Sequence, residues 1–115
     1  MKVAWILVIA LTAIAAADAH TERAAKLNDE GKELMFASKY EDARLKFMDA
    51  VAHDPLAIYL FNLCTADFQT GRFGEALTHC KAVATKHPPE ALQQKTDKLI
   101  AKIRAEAAAQ HVVVD

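Results

Sequence analysis

The stretch AIYLFNLCTADFQTGRFGEALTHCKAVATKHP, residues 57–88, decides the fold. Its centre is Gly71-Arg72-Phe73-Gly74-Glu75-Ala76-Leu77. A glycine takes the left-handed backbone conformation that ends a helix. The aromatic two residues later covers the turn, and the small Ala76 lets the returning helix come close. Upstream, residues 57–70 are apolar on more than one side, with Leu60, Leu63 and Cys64 in one stripe and Ile58, Phe61 and Phe68 in another. A helix apolar nearly all round is central in its bundle. Downstream, Ala76, Leu77, Cys80, Val83 and Ala84 recur at helical spacing over about 73–86, and His87-Pro88-Pro89 ends that helix.

Sliding the chain over itself by 33 residues shows that this unit occurs twice. Ala24, Leu27, Gly31, Ser38, Lys39, Tyr40, Asp42, Ala43, Ala50 and Pro55 fall on Ala57, Leu60, Cys64, Gly71, Arg72, Phe73, Glu75, Ala76, Val83 and Pro88. The turn alanine lies 12 residues before the closing proline in both copies (55 − 43 and 88 − 76). The first copy, residues 24–56, therefore predicts a helix over 21–37 with Thr21 as N-cap and Leu27, Gly31 and Leu34 on one stripe. A second helix over 41–53 buries Ala43, Phe47 and Ala50 and stops at Asp54-Pro55. After the second copy, residues 57–89, Pro89 opens a last helix over 90–110. This helix is one-sided, with Leu92, Thr96, Leu99, Ile103 and Ala107 on one face and Lys95, Lys98, Lys102 and Arg104 mostly elsewhere. Such a helix caps the open end of a repeat stack. Residues 111–115, HVVVD, are expected to be a frayed tail whose valines would suit another protein's sheet edge.

The pattern resembles the tetratricopeptide repeat family, whose unit is a helix-turn-helix of about 34 residues closed by a proline. Leu27, Gly31, Leu34, Ala43, Phe47 and Pro55 carry the family's W-x2-L-G-x2-Y, A-x3-F and P rhythm in the first copy, and Leu60, Leu63, Cys64, Ala76, Cys80 and Pro88 carry it in the second. The second copy departs from it with Cys64 for the glycine, Asp67 for the tyrosine and Cys80 for the phenylalanine. The resemblance implies an all-α fragment of a right-handed superhelix, antiparallel helix-turn-helix repeats with about five helices in residues 20–110.

Ahead of the repeats, Met1-Lys2 precedes an apolar run over 3–17 and then small residues, the layout of a secretory signal peptide. Ala15-Ala16-Ala17 and Ala17-Asp18-Ala19 both offer A-x-A cleavage sites, and residues 1–19 are assigned to the signal. The alternative is an uncleaved anchor, which would make the protein membrane-bound, although the run is shorter than the roughly 20 residues of a span. Export, to a periplasm or out of the cell, is the expected localisation. With 14 basic and 15 acidic residues, the chain has no electrostatic reason to bind nucleic acid or an anionic membrane.

Motifs of catalysis are absent from the sequence. It has no glycine-rich phosphate loop, no H-E-x-x-H, no G-x-S-x-G and no zinc-type cysteine pairing. A non-enzymatic protein without a cofactor or metal is expected. His53 and His87 stand at helix C-termini, where cations are favoured. Asp67 falls on the packing stripe, where an unpaired carboxylate is costly. Either the helix is rotated to expose it, the reading adopted, or it pairs with Arg44 or His79.

The turn at Arg72 lies eight residues from both Cys64 and Cys80, which places them opposite one another on antiparallel helices. Both replace residues that the family packs between these helices. In an oxidising compartment they are expected to form a disulfide, the alternative being two buried free thiols.

In tetratricopeptide arrays the first helix of each unit lines a groove that holds a peptide or partner helix. Carried over, that face is Asn28, Lys32, Met35 and Phe36, then Ile58, Phe61, Thr65, Phe68 and Gln69, extended by Gln94 and Lys98. For Phe61 and Phe68, filling the seam against the first helix is the preferred reading and ligand contact the alternative. A clamp for acidic C-terminal tails, found in some chaperone adaptors of the family, lacks most of its basic residues here. The expected function is thus a protein or peptide adaptor. The competing classes are a small exported thiol or metal protein using Cys64, Cys80 and His79, and a self-associating module forming a homodimer, since two repeats fall short of the usual three.

Overall fold

The computed structural model describes the backbone of residues 2–114 and the side chains of residues 16–114. Five α-helices follow one another: α1 (Lys2–Phe36), α2 (Tyr40–His53), α3 (Ala57–Gln69), α4 (Phe73–Val83) and α5 (Glu90–Ala109), with a 3-10 turn Ala84–Lys86 between the last two. No strand occurs among the described residues.

The two short connections are built alike, for a reason visible in the backbone. Gly71 ends α3 at φ +75°, with its own N–H bonded to the Phe68 carbonyl and the Arg72 N–H bonded to the Asp67 carbonyl. Ser38 occupies the equivalent position after α1 at φ +59°, and the Lys39 N–H reaches the Leu34 carbonyl. A left-handed residue followed by such a reach-back bond satisfies carbonyls that the helix end leaves open. Glycine does this without a Cβ penalty, and serine does not.

Between the helices of each pair, one contact sets the separation. A Cβ built on Gly31 would lie 2.5 Å from Phe47 Cε1, so α1 approaches α2 only because residue 31 has no side chain. Adding 33 to both numbers gives Cys64 and Cys80, which are joined by a disulfide with their Cα atoms 5.4 Å apart. The same facing positions are closed by a ring against a bare backbone in one pair and by a covalent bond in the other.

The core lies along the stack in three clusters. Ala24, Leu27, Ala50 and Tyr59 form one cluster, and Ala43, Phe47, Leu63 and Ala66 a second. Cys64, Phe73, Ala76, Leu77, Cys80, Ile103 and Ala107 form a third, in which α5 covers the last pair as the sequence leads one to expect. Between the two turns, Glu41 accepts hydrogen bonds from Arg44 on its own helix and from Arg72 of the second pair. Those two guanidiniums, Arg44 first, hold its carboxyl below the ordinary glutamate range.

Four expectations are corrected. Thr21 does not cap a helix: α1 passes through it, and its hydroxyl donates to the Ala17 carbonyl four residues back. Asp67 is not rotated to solvent but has 0 % exposure. Ala84 does not point inward but is exposed in the 3-10 turn. The tail is not frayed through residue 114: His111 at φ +58° ends α5, the Val112 N–H reaches the Ala107 carbonyl, and Val114 packs on the third cluster. The export signal assigned to residues 1–19 falls mainly on side chains outside the described residues. Among the described residues, no helix is long and apolar enough to cross a membrane.

Candidate functional site

The last turns of α1, the middle of α2 and the middle of α3 leave a groove of about 270 Å³ lined by Lys32, Met35, Phe36, Phe47, Phe61, Asn62 and Thr65. Its floor is the buried Phe47 ring, placed there by the missing side chain at Gly31. Phe36 stands at the rim with 94 % of its surface exposed. An aromatic side chain so open to water costs hydrophobic free energy that a partner's apolar surface would recover. The Thr65 hydroxyl donates to the Phe61 carbonyl at 3.0 Å. Lys32 lies 3.7 Å from Asp29 with both side chains largely exposed, a pairing too weak to tie its ammonium down.

Beneath the groove, Asn62 donates to the buried Asn28 Oδ1 at 2.8 Å, linking α3 to α1 across the boundary between the helix pairs. The bond satisfies the buried Asn28 amide oxygen, which would be costly to leave unpaired.

Of the eleven residues assigned from the sequence, Lys32, Met35, Phe36, Phe61 and Thr65 are brought together here. Asn28 lies buried under them. Phe68 is turned the other way: it packs on the third cluster, its ring 6.0 Å from that of Phe73 and with Lys102 Nζ 5.4 Å from its centroid. Phe61 and Phe68 are seven residues apart yet face different neighbours, because α3 touches α1 and α2 over one part and α5 over another. Gln69, Gln94 and Lys98 are exposed and do not line the groove.

Ile58 belongs to another opening, of about 540 Å³, bounded by Leu56, Ala57, the 3-10 turn, Pro88, Pro89 and Leu92. Its shape depends on His87 standing at φ +51° between the turn and the prolines, which no periodicity announces. Phe47 and Asn62 are groove residues that the sequence reading missed. Its helical spacing with Ala43 and Ala50 marks Phe47 as core only, and Asn62 sits one position off the apolar stripe.

The other polar feature is the pair Asp67 and His79, with His79 Nδ1 2.6 Å from Asp67 Oδ2. Asp67 Oδ1 is buried without a hydrogen bond. The pair ties α3 to α4 beside the disulfide, as Asp67 follows Cys64 by three residues and His79 precedes Cys80. Arg44 lies close enough for the Asp67 charge to help raise its pKa, after the larger effect of its Glu41 hydrogen bond. Both cysteines are buried and bonded, so neither offers a thiolate to a metal or an electrophile in this state.

No family model matches the chain, and neither a curated protein nor a solved structure is similar enough to it to count as a match.

Proposed function

We propose that the chain is an exported, non-enzymatic adaptor of tetratricopeptide type that holds a peptide or partner helix in the groove between α1 and α3. The observation that carries this reading is the groove itself, with Phe36 exposed beside Met35, Phe61 and the Phe47 floor. At about 270 Å³ it is smaller than the roughly 300–1,000 Å³ of small-molecule sites, a size suited to one anchoring side chain of a longer ligand. A helix laid in a groove presents its anchors at i, i+3, i+4 and i+7, and Phe36 at the rim with Met35 and Phe61 within would meet such a stripe. Lys32 adds a cation for an acidic residue beside the anchor.

The test is capture from the exported fraction of the source cells, with the wild-type chain and a Phe36→Ala/Phe61→Ala chain as matched baits. A partner retained by the first and lost by the second, with equal circular dichroism of the two baits, supports the groove. Retention by both places the binding surface elsewhere.

A further inference from the structure

The opening of about 540 Å³ at the start of α5 shares no lining residue with the groove between α1 and α3. Leu56 and Ile58 come to it from the start of α3, Pro88 and Pro89 from the connection, and Leu92 from the first turn of α5. Leu56 and Ile58 are each 43 % exposed, so two large aliphatic side chains stand open to water in a concave surface, and covering them would be favourable. The two prolines lock their own φ angles, which leaves less backbone to order when something binds.

The polar side chains of the lining are Lys86, His87 and Lys95, and among the described residues no acidic, hydroxyl or amide side chain belongs to it. Neither lysine has an ion-pair partner among the described residues. The acids nearest along the chain, Asp54, Glu90 and Asp97, stand outside the lining. Glu90 accepts a hydrogen bond from Gln94, and Asp97 accepts one from Gln93. The opening is therefore aliphatic within and basic at its edge, with no negative charge of its own to answer the lysines.

We propose that this opening binds a medium-chain aliphatic carboxylate, its chain against Ile58 and Leu92 and its carboxylate paired with Lys86 and Lys95. The volume falls within the roughly 300–1,000 Å³ of small-molecule sites. No aromatic side chain lines it, so a planar ring would find nothing to stack on, and no side-chain carboxylate or amide is there to take the hydroxyls of a sugar. A flexible alkyl chain needs neither. Lysine carries a point charge on an apolar stem, so its methylenes extend the aliphatic wall while the ammonium meets the carboxylate at the water edge.

The test titrates octanoate, hexanoate and octanol into the isotopically labelled full chain, with amide chemical shifts locating the site and calorimetry giving affinity. Octanoate should saturate and move the amides of residues 56–58 and 86–95. Hexanoate, two methylenes shorter, should bind about tenfold more weakly. Octanol, which lacks the charge, should bind about fivefold more weakly than octanoate. Lys86→Gln/Lys95→Gln should bring octanoate down to the affinity of octanol and leave octanol unchanged, which separates lost charge from a lost fold. Phe36→Ala/Phe61→Ala should leave octanoate binding as it is. No saturable binding, octanol as tight as octanoate, full octanoate affinity in the lysine variant, or shifts confined to α1 or to the other groove each overturn the site.

Discussion

Reducing the Cys64–Cys80 bond should cost the protein about as much as truncating one large core side chain. The bond closes a loop with a sequence separation of 16, and in the chain-entropy treatment a loop of this length is worth about 3 kcal/mol. Typical domain stability is about 5–15 kcal/mol, so this one linkage supplies a substantial fraction of the total. Both cysteines are buried, and reduction therefore also forces two thiols into a space that the first pair fills with a ring against bare backbone. Urea unfolding followed by far-ultraviolet circular dichroism, with and without reductant equilibrated through the denatured state, reads the effect. With a slope of about 1.5 kcal/mol per molar urea, the midpoint should fall by about 2 M on reduction. The Cys64→Ala/Cys80→Ala chain should fall at least as far. A midpoint shift below about 0.3 M, less than 0.5 kcal/mol, would refute both the bond and the reasoning from the equivalence of 31/47 with 64/80.

Three further outcomes follow from single residues. Ser38→Gly should stabilise the protein and Gly71→Ala destabilise it, each by about 1 kcal/mol in urea unfolding, because the left-handed conformation is shared and a Cβ at Gly71 would touch nothing within 4 Å. Equal and small effects at both would mean that the turn relaxes. Gly31→Ala should cost about 1–3 kcal/mol through its clash with Phe47, and Phe47→Leu should recover part of it in a double-mutant cycle, whereas strict additivity would show that the helices part freely. Phe68→Ala should lower stability by about 2 kcal/mol, since its ring is half-buried on the third cluster, and leave groove binding by the folded protein unchanged. Lost binding at full stability would return Phe68 to the groove.

How far the sequence reaches is clearest in the pairing of positions. Gly71 and Ser38 mark the turns because a left-handed residue must stand where one helix ends and the next returns, a constraint confined to four or five neighbouring residues. Cys64 and Cys80 could be set opposite one another because distance along a helix is fixed by the 1.5 Å rise. Rotation of one helix about its axis against several neighbours is not fixed that way. For that reason the sequence alone reads Asp67 as exposed, whereas α4 brings His79 to it, and leaves Phe68 between the groove and the seam against α1, whereas α5 claims it. Thr21 misled for a local reason: its hydroxyl bonds back to the Ala17 carbonyl, an arrangement open to threonine inside a helix, and the alanine-rich segment before it has high helix propensity. The opening at Ile58 depends on a left-handed histidine between a 3-10 turn and two prolines, a conformation that composition does not specify.

Protein binding in the groove between α1 and α3 can be read by selecting displayed helical peptides on the immobilised full chain and measuring the winners by calorimetry. The selected peptides should carry an apolar stripe at i, i+3, i+4 and i+7 and an acidic residue for Lys32. Phe36→Ala/Phe61→Ala should weaken them by about tenfold or more, at least the 1.4 kcal/mol of one displaced aromatic contact. Peptides that bind the double variant and the wild type equally, or a selection that enriches no such stripe, would contradict it.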